Sequence, residues 1–476
     1  MQKHTRLPTI TQIIICLAGF LGLAFSFTSL LNLPIQLALY IAWFIIMALG
    51  IWLGHNYKDL EEAATQGISK GMGAILILIA VGALVGTWIA GGIVPGIIYY
   101  GLKIIHPSIF LLATLIICSV TALATGTSWG AAGTAGIAMM GIGEGLGIPL
   151  PLVAGAVLSG VYFGDKLSPL SDSVILASSM SGVETFEHIK GMLPISLTSY
   201  ILTAIMFTFA GMQYGGNVDM SQVETVMAAL EQSFNISPMA FVPVVLVIAL
   251  LANKKPSFPV ISFGAVLGVV WAIAFQNKDL ISAVQSAWSP FSITSGVDFI
   301  DNILSRGGIA SMLGSVAVII FGLGFGGLLD RVGILQVIAD KMTAFITNAS
   351  NLTVSTLFTA FLANIFGSAM YVSLILTPKI MSKNYDRLGL HRKMLSRNAE
   401  FGGTLTSGMV PWSDNGIFMA GVLGVPTLAY LPYMWLSFTC IILTIAFTML
   451  GKFISTASEA PATVSNDSCA APAAAS

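Results

Sequence analysis

The sequence predicts an all-α polytopic membrane protein made of two inverted-topology repeats, with broken helices meeting near the membrane midplane. Three observations lead there: long uncharged apolar runs, a set of motifs that recurs in the same order, and a Pro-Ser-Asp interruption inside one apolar run of each half. Of the 476 residues, 56% are hydrophobic and 9% charged, whereas soluble domains carry about 25% charged residues. About 20 apolar residues in a row suffice to cross a bilayer, so the lipid bilayer is the first partner implied.

The apolar runs of the first half place spans at 10–30, 34–54, 71–94, 108–125, 126–143, 151–181 and 191–211. The fifth is rich in glycine and reads either as a span or as a re-entrant hairpin. Doubling this pattern gives about 10 to 14 crossings. The net charge of −1 argues against a nucleic-acid partner. The four cysteines are scattered, with neither metal spacing nor a disulfide framework, and no cofactor is expected. His188 and His391 lie in charged stretches and are expected in solvated loops. The Ala-, Ser- and Pro-rich stretch 455–476 is expected to be a disordered cytoplasmic tail, and 292–306 an exposed insertion.

The repeat rests on five matches. Gly86 and Gly92 correspond to Gly327 and Gly333, Gly126-Thr-Ser-Trp-Gly130 to Gly367-Ser-Ala-Met-Tyr371, and Ser168-Pro-Leu-Ser-Asp172 to Val410-Pro-Trp-Ser-Asp414. Gly182-Val-Glu-Thr185 corresponds to Gly424-Val-Pro-Thr427, and Lys58-Asp-Leu60 to Lys278-Asp-Leu280. The halves are 8–212 and 238–453, joined by a connector at 213–237. Lys3 and Arg6 place the N-terminus in the cytoplasm. The connector carries Asp219, Glu224 and Glu231 without Lys or Arg and is expected outside, while Lys379, Lys383, Arg387, Arg392, Lys393 and Arg397 are expected inside. An odd number of crossings per half then inverts the second half, and both termini are cytoplasmic. Inverted repeats with broken helices characterise secondary transporters.

The break itself carries the chemistry. Pro169 removes a backbone donor and clashes with a continuous helix, and Ser168 and Ser171 offer hydroxyls to freed backbone groups. Unwound backbone at membrane depth requires protein or an aqueous cavity around it. The second break repeats this at Pro411, Ser413, Asp414 and Asn415. Carboxylates, hydroxyls and free carbonyls are hard oxygen donors suited to an alkali cation. Asp172 and Asp414 are the Na+ candidates, with Asp165 near the first break and Thr127 and Ser128 as further ligands. An ionisable group within a span is costly and points to function. A carboxylate there also carries protons, so Na+ and H+ compete for the same oxygens, which is the chemistry of an antiporter.

The segments GTSWGAAGTAGIA (126–138), GIPLPLVAGAVLSGVYFGDKLSPLSDS (147–173) and LSRNAEFGGTLTSGMVPWSDNGIFMAGVLGVPTLAYLPY (395–433) resemble the NhaC family of Na+/H+ antiporters. The resemblance covers about residues 10 to 450. It implies a secondary transporter of the bacterial inner membrane, not an enzyme, exchanging Na+ or another monovalent cation for H+. It also adds Glu400 and Thr404 to Asp172 at family-like positions. Where the family often has Thr-Thr-Asn after SPLSD, this chain has Ser173-Val174-Ile175, and Ser413-Asp414 stand where Asn-Thr is usual.

Relatives that resemble the family exchange malate for lactate, so the alternative is a cation-coupled transporter of organic acids or amino acids. For an organic anion, Lys166 is the one basic candidate within a span. A third reading, an intramembrane aspartyl protease using Asp165 and Asp172, leaves the repeat unexplained. A homodimer is compatible with any transporter of this class.

Overall fold

A computed structural model describes residues 5–456 apart from 32, 105, 170, 215–219, 254, 294–300, 302–303, 306 and 344–345. It is helical throughout, and the β-pairing among the described residues is an isolated bridge between Leu390 and Thr456. The first part of the chain forms α1 (Ile10–Phe25), α2 (Ile35–Trp52), α3 (Tyr57–Lys70), α4 (Met72–Ala90), α5 (Ile93–Ile104), α6 (Pro107–Thr125), α7 (128–145), α8 (Leu150–Leu167), α9 (Asp172–Ser181) and α10 (Thr185–Met212). Then follow α11 (Met220–Ser233), α12 (Phe241–Ala252), α13 (Ser257–Gln276), α14 (Leu280–Gln285), α15 (Ile309–Val332) and α16 (Ile334–Thr343). The last are α17 (Ala349–Gly367), α18 (Met370–Arg387), α19 (Arg392–Ser407), α20 (Asp414–Leu423) and α21 (Trp435–Met449).

Seven of the described helices are long and apolar enough to cross a membrane, or ten if each bent pair counts as one span. The bent pairs are α4 with α5 (70°), α11 with α12 (84°), and α20 with residues 427–433 (86°). α1 and α21 are shorter apolar helices. The protein is a multi-pass membrane protein, and its exposed Leu, Ile and Phe side chains on α10 and α13 face what would be lipid.

The structure gives the local form of two segments that the sequence left open, and it overturns the expectation that His188 and His391 lie in solvated loops. The glycine-rich segment 126–143 is a helix, α7, with a π turn at Ala132–Gly136; its glycines permit close packing instead of breaking the chain. The connector 213–237 contains a helix, α11. His188 is fully buried within α10, where its Nδ1 bonds the Ser396 hydroxyl. His391 is largely covered and pairs with Glu187 at 3.3 Å. Much of the 292–306 insertion and residues 457–476 of the expected tail lie outside the described residues. Ser455, at the start of that tail, accepts a bond from the His391 N–H at 2.9 Å.

The same backbone events recur at one constant spacing along the chain. α6 and α17 each end in a left-handed residue, Gly126 (φ 69°) and Ser368 (φ 53°). The next helix starts two residues later, after an extended residue: Thr127 before α7 and Ala369 before α18. Ser171 caps α9 and Ser413 caps α20, each accepting from the N–H three residues on. Gly182 and Gly424 end these helices at φ 71° and 70°. The left-handed position falls on Ser368, one residue beyond the Gly367 that the motif alignment matched to Gly126. With that shift Tyr371 corresponds to Trp129, at the same spacing that pairs Asn415 with Ser173.

The two segments embrace. α9 packs on α18 and α19, and α20 packs on the π turn of α7, on α4 and on α15. Each broken helix therefore crosses to elements far away in sequence, which brings the two breaks to one region.

Candidate functional site

At the first break, α8 ends at Ser168 in extended backbone (φ −81°, ψ 125°). Pro169 cannot donate a backbone bond, and Ser168 Oγ instead donates to the Leu123 carbonyl at 2.9 Å. Ser168 thus ties the break to α6. Ser171 then restarts the helix as its cap. Its hydroxyl lies 3.0 Å from that of Ser173, and Ser173 Oγ donates to Glu400 Oε1 at 3.0 Å. The Asp172 carboxylate accepts from the Ser173 N–H at 2.9 Å and from the Tyr371 hydroxyl. Asp165, 2% exposed, is approached by Ser171 and Ser128. Asp165, Asp172 and Glu400 are therefore joined through Ser171 and Ser173 into one acidic cluster.

Asp165 Oδ1, Glu400 Oε2 and the Thr404 hydroxyl are buried without a hydrogen-bond partner. Buried polar atoms are nearly always satisfied in native structures, so these three oxygens form a donor set with spare capacity. With the Ser171 and Ser173 hydroxyls they are hard oxygens of the kind a sodium ion takes. No group of three or more His, Cys, Asp or Glu that could hold a metal ion occurs among the described residues; any alkali-cation site here mixes carboxylates with hydroxyls.

A cavity of about 580 Å3 opens on this cluster. Thr127, Ser128, Asp165 and Asp172 line it, as expected from the sequence. So do Trp129, Lys255, Ser257 and Tyr371, which sequence reasoning did not place there. Thr127 also caps α7 through the Gly130 N–H at 3.3 Å. No sequence signal ties Lys255 to Asp172. Tyr371 had a signal, because it stands in the repeated glycine motif.

The second break is arranged differently. Asp414, 1% exposed, is absent from the cavity wall. Its Oδ1 accepts from the N–H groups of Asn415 (2.6 Å) and Met370 (3.2 Å), and its own N–H donates to the Ser368 carbonyl at 2.9 Å. Asp414 thus stitches α20 to the start of α18. Ser413 Oγ donates to the Ser407 and Val410 carbonyls. Asn415 donates to Ser407 Oγ at 2.6 Å and accepts from Trp129 Nε1 at 3.0 Å, while the Trp129 ring stacks on Phe418 with centroids 4.4 Å apart. Asp172 lines the cavity and Asp414 is not among its lining residues; the two acids bond successive residues at the start of α18, Tyr371 and Met370.

Lys166 makes no ion pair with its neighbour Asp165. It is fully buried, donates to Cys440 Sγ at 3.3 Å and lies over the Phe401 ring at 4.8 Å. It is close enough to act electrostatically on Glu400.

Sequence comparisons now bear on this arrangement. A model of the Na+/H+ antiporter family matches residues 160–452. The chain belongs to this family. A second model, of the C4-dicarboxylate anaerobic carriers, matches residues 2–213. The antiporter is 62% identical to a malate-2H(+)/Na(+)-lactate antiporter of Bacillus subtilis, over 95% of this chain and 97% of the relative. It is 33% identical to the Na(+)/H(+) antiporter NhaC of Alkalihalophilus pseudofirmus, over 90% and 93%. It is 32% identical to the arginine/ornithine antiporter ArcD of Halobacterium salinarum, over 95% of both. These relatives are antiporters named for cations, organic acids and amino acids.

Proposed function

We propose that this antiporter exchanges small hydroxy acids, a malate-like dicarboxylate against a lactate-like monocarboxylate, with H+ and Na+ as the coupled cations. The observation that carries this reading is the 580 Å3 cavity whose wall includes Asp165, Asp172 and Lys255. A dehydrated sodium ion needs only its ligands, whereas pockets for organic molecules occupy about 300–1,000 Å3. A wall with both signs of charge suits a cargo made of an organic anion and cations. The 62% identity to a malate-2H(+)/Na(+)-lactate antiporter and the dicarboxylate-carrier match over 2–213 support the same cargo.

The residues divide the work as follows. Asp172, Asp165 and Glu400, with Ser171, Ser173 and Thr404, hold the cations. Carboxylates gathered at low dielectric repel one another when all are ionised. Protons or a sodium ion relieve that repulsion, so the two compete and their movements are coupled. Ser168, Ser413, Asn415 and Asp414 hold the breaks in shape. Thr127 and Ser128 face the organic cargo.

The test is uptake of labelled malate into proteoliposomes loaded with lactate, under imposed Na+ and pH gradients. Malate uptake that depends on internal lactate and on both gradients is expected. Sodium-for-proton exchange with no organic acid moving would establish the second reading, simple Na+/H+ antiport, which the oxygen cluster alone would serve.

The two halves are proposed to be inverted in the bacterial inner membrane, with both termini cytoplasmic. The unequal distribution of Lys and Arg supports this. Cysteine labelling in intact cells is expected to find residue 224 outside and residue 383 inside. Finding both on one face would refute the inversion.

A further inference from the structure

We propose that a basic cavity between the starts of α10 and α19 binds the phosphate of an anionic phospholipid. This cavity, of about 350 Å3, lies apart from the transport cavity and shares none of its lining residues. Lys190, Lys393 and Arg397 line it, opposed by Glu187, whose carboxylate is already engaged by His391. The cavity is thus left with an excess of positive charge.

Arg397 gives the site its built character. It is 2% exposed, and among the described residues it forms no salt bridge to a carboxylate. Its Nη1 donates to the Phe453 carbonyl at 3.2 Å and its Nε to Asn398 Oδ1 at 3.2 Å. Its Nη2 is buried with no acceptor. A guanidinium presents its donors as a rigid planar fork that matches phosphate oxygens. An unfilled arm of that fork, on a residue lining a positively charged cavity, calls for an anion.

The apolar surroundings select a lipid as its source. Beyond Lys190 on α10, Leu193, Leu197 and Ile201 are 44, 47 and 53% exposed. Their four-residue spacing puts them in one row along the helix. A headgroup phosphate seated among Lys190, Lys393 and Arg397 would leave an acyl chain running along that row. Basic pockets beside membrane helices bind anionic headgroups in this way. The site reaches the transport cluster through α19 itself, because Arg397 lies one turn before Glu400.

The experiment uses the full-length protein in nanodiscs of mixed phosphatidylglycerol and phosphatidylcholine, followed by native mass spectrometry of retained lipid. Preferential retention of phosphatidylglycerol is expected. Lys190→Gln should reduce that preference about fivefold, the effect of one basic group near a charged membrane surface, and Arg397→Gln should reduce it further. Lys103→Gln, which removes an exposed charge elsewhere, should leave it unchanged. If Arg397→Gln fails to fold, Lys190→Gln decides alone. Equal retention by wild type and Lys190→Gln would overturn the proposal. So would displacement of the lipid by excess inorganic phosphate with no preference between the two lipids, which would mark a site for a free anion.

Discussion

Tyr371→Phe is the substitution that best tests the proposed cation site. The Tyr371 hydroxyl donates to Asp172 Oδ2, the carboxylate oxygen left over once Oδ1 has accepted the Ser173 N–H. A cation entering at Asp172 must compete with that donor. A hydrogen bond to a charged group contributes about 1.5–3 kcal/mol. Asp172 faces the cavity, where water substitutes for a lost donor, so the lower end applies. Removing the hydroxyl should therefore tighten sodium binding by about 1.5 kcal/mol, roughly twelvefold. Slower release should lower the maximal exchange rate. The assay is equilibrium binding of radioactive sodium to purified protein, with exchange rates measured in proteoliposomes. Asp172→Asn, which removes the carboxylate that both compete for, is the reference. Unchanged or weaker sodium binding in Tyr371→Phe, alongside lost binding in Asp172→Asn, would refute the competition and make the phenol oxygen a ligand or a bystander.

Three further outcomes are expected. Asp172→Asn should abolish exchange in proteoliposomes while the protein is still made and inserted; near-normal flux would remove Asp172 from the site. Gly160→Ala should lower the melting temperature in detergent, because the added Cβ would lie 2.6 Å from the Leu115 carbonyl oxygen and 2.7 Å from Cys118 Cβ, an overpacking of α8 on α6 that costs about 1–3 kcal/mol. The Arg392 guanidinium holds the Asp386 carboxyl below its usual range, and the two sit 2.7 Å apart. A carboxyl lowered in the folded state stabilises above its unfolded value of about 3.9 and loses that contribution as pH falls below it. Both groups are partly exposed, so the contribution is a fraction of a kcal/mol. Arg392→Gln should melt slightly earlier than wild type at pH 7, and the difference should shrink as pH falls through the lowered folded-state pKa of Asp386.

The breaks were legible because they depend on local chemistry: a proline and flanking hydroxyls interrupt an apolar run whatever surrounds it. The acids at those breaks were legible for the same reason. Burial was not. Lys166 and His188 are fully buried, yet each stands among charged or polar neighbours in sequence, and only the packing of α19 and α21 encloses them. The match of the glycine motif is displaced by one residue because glycine is the usual occupant of a left-handed cap, whereas Ser368 takes it here with φ 53°. That single residue hid the correspondence between Tyr371 and Trp129. Lys255 is far in sequence from the clustered acids, and it reaches the cavity because the start of α13 forms part of the same wall.

The corrected register shows how two similar breaks can serve different ends. At each, a helix start reaches across to the other: Tyr371 of α18 bonds Asp172 of α9, and Trp129 of α7 bonds Asn415 of α20. The residues at matching positions have diverged in opposite directions. Where the first break has Asp165, the second has Ser407, whose hydroxyl accepts from the Asn415 amide and donates to the Thr404 carbonyl. Where the first has Ser173, which passes its hydroxyl to Glu400, the second has Asn415 and an indole that is stacked as well as bonded. The first clasp joins a phenol to a carboxylate that also faces the cavity, so a cation can compete for it. The second joins neutral groups, and Asn415 is fully buried, so a broken bond would leave a buried amide unsatisfied at a cost of about 1–3 kcal/mol. One break is thus chemically suited to exchange partners during transport, and the other to hold its partners throughout.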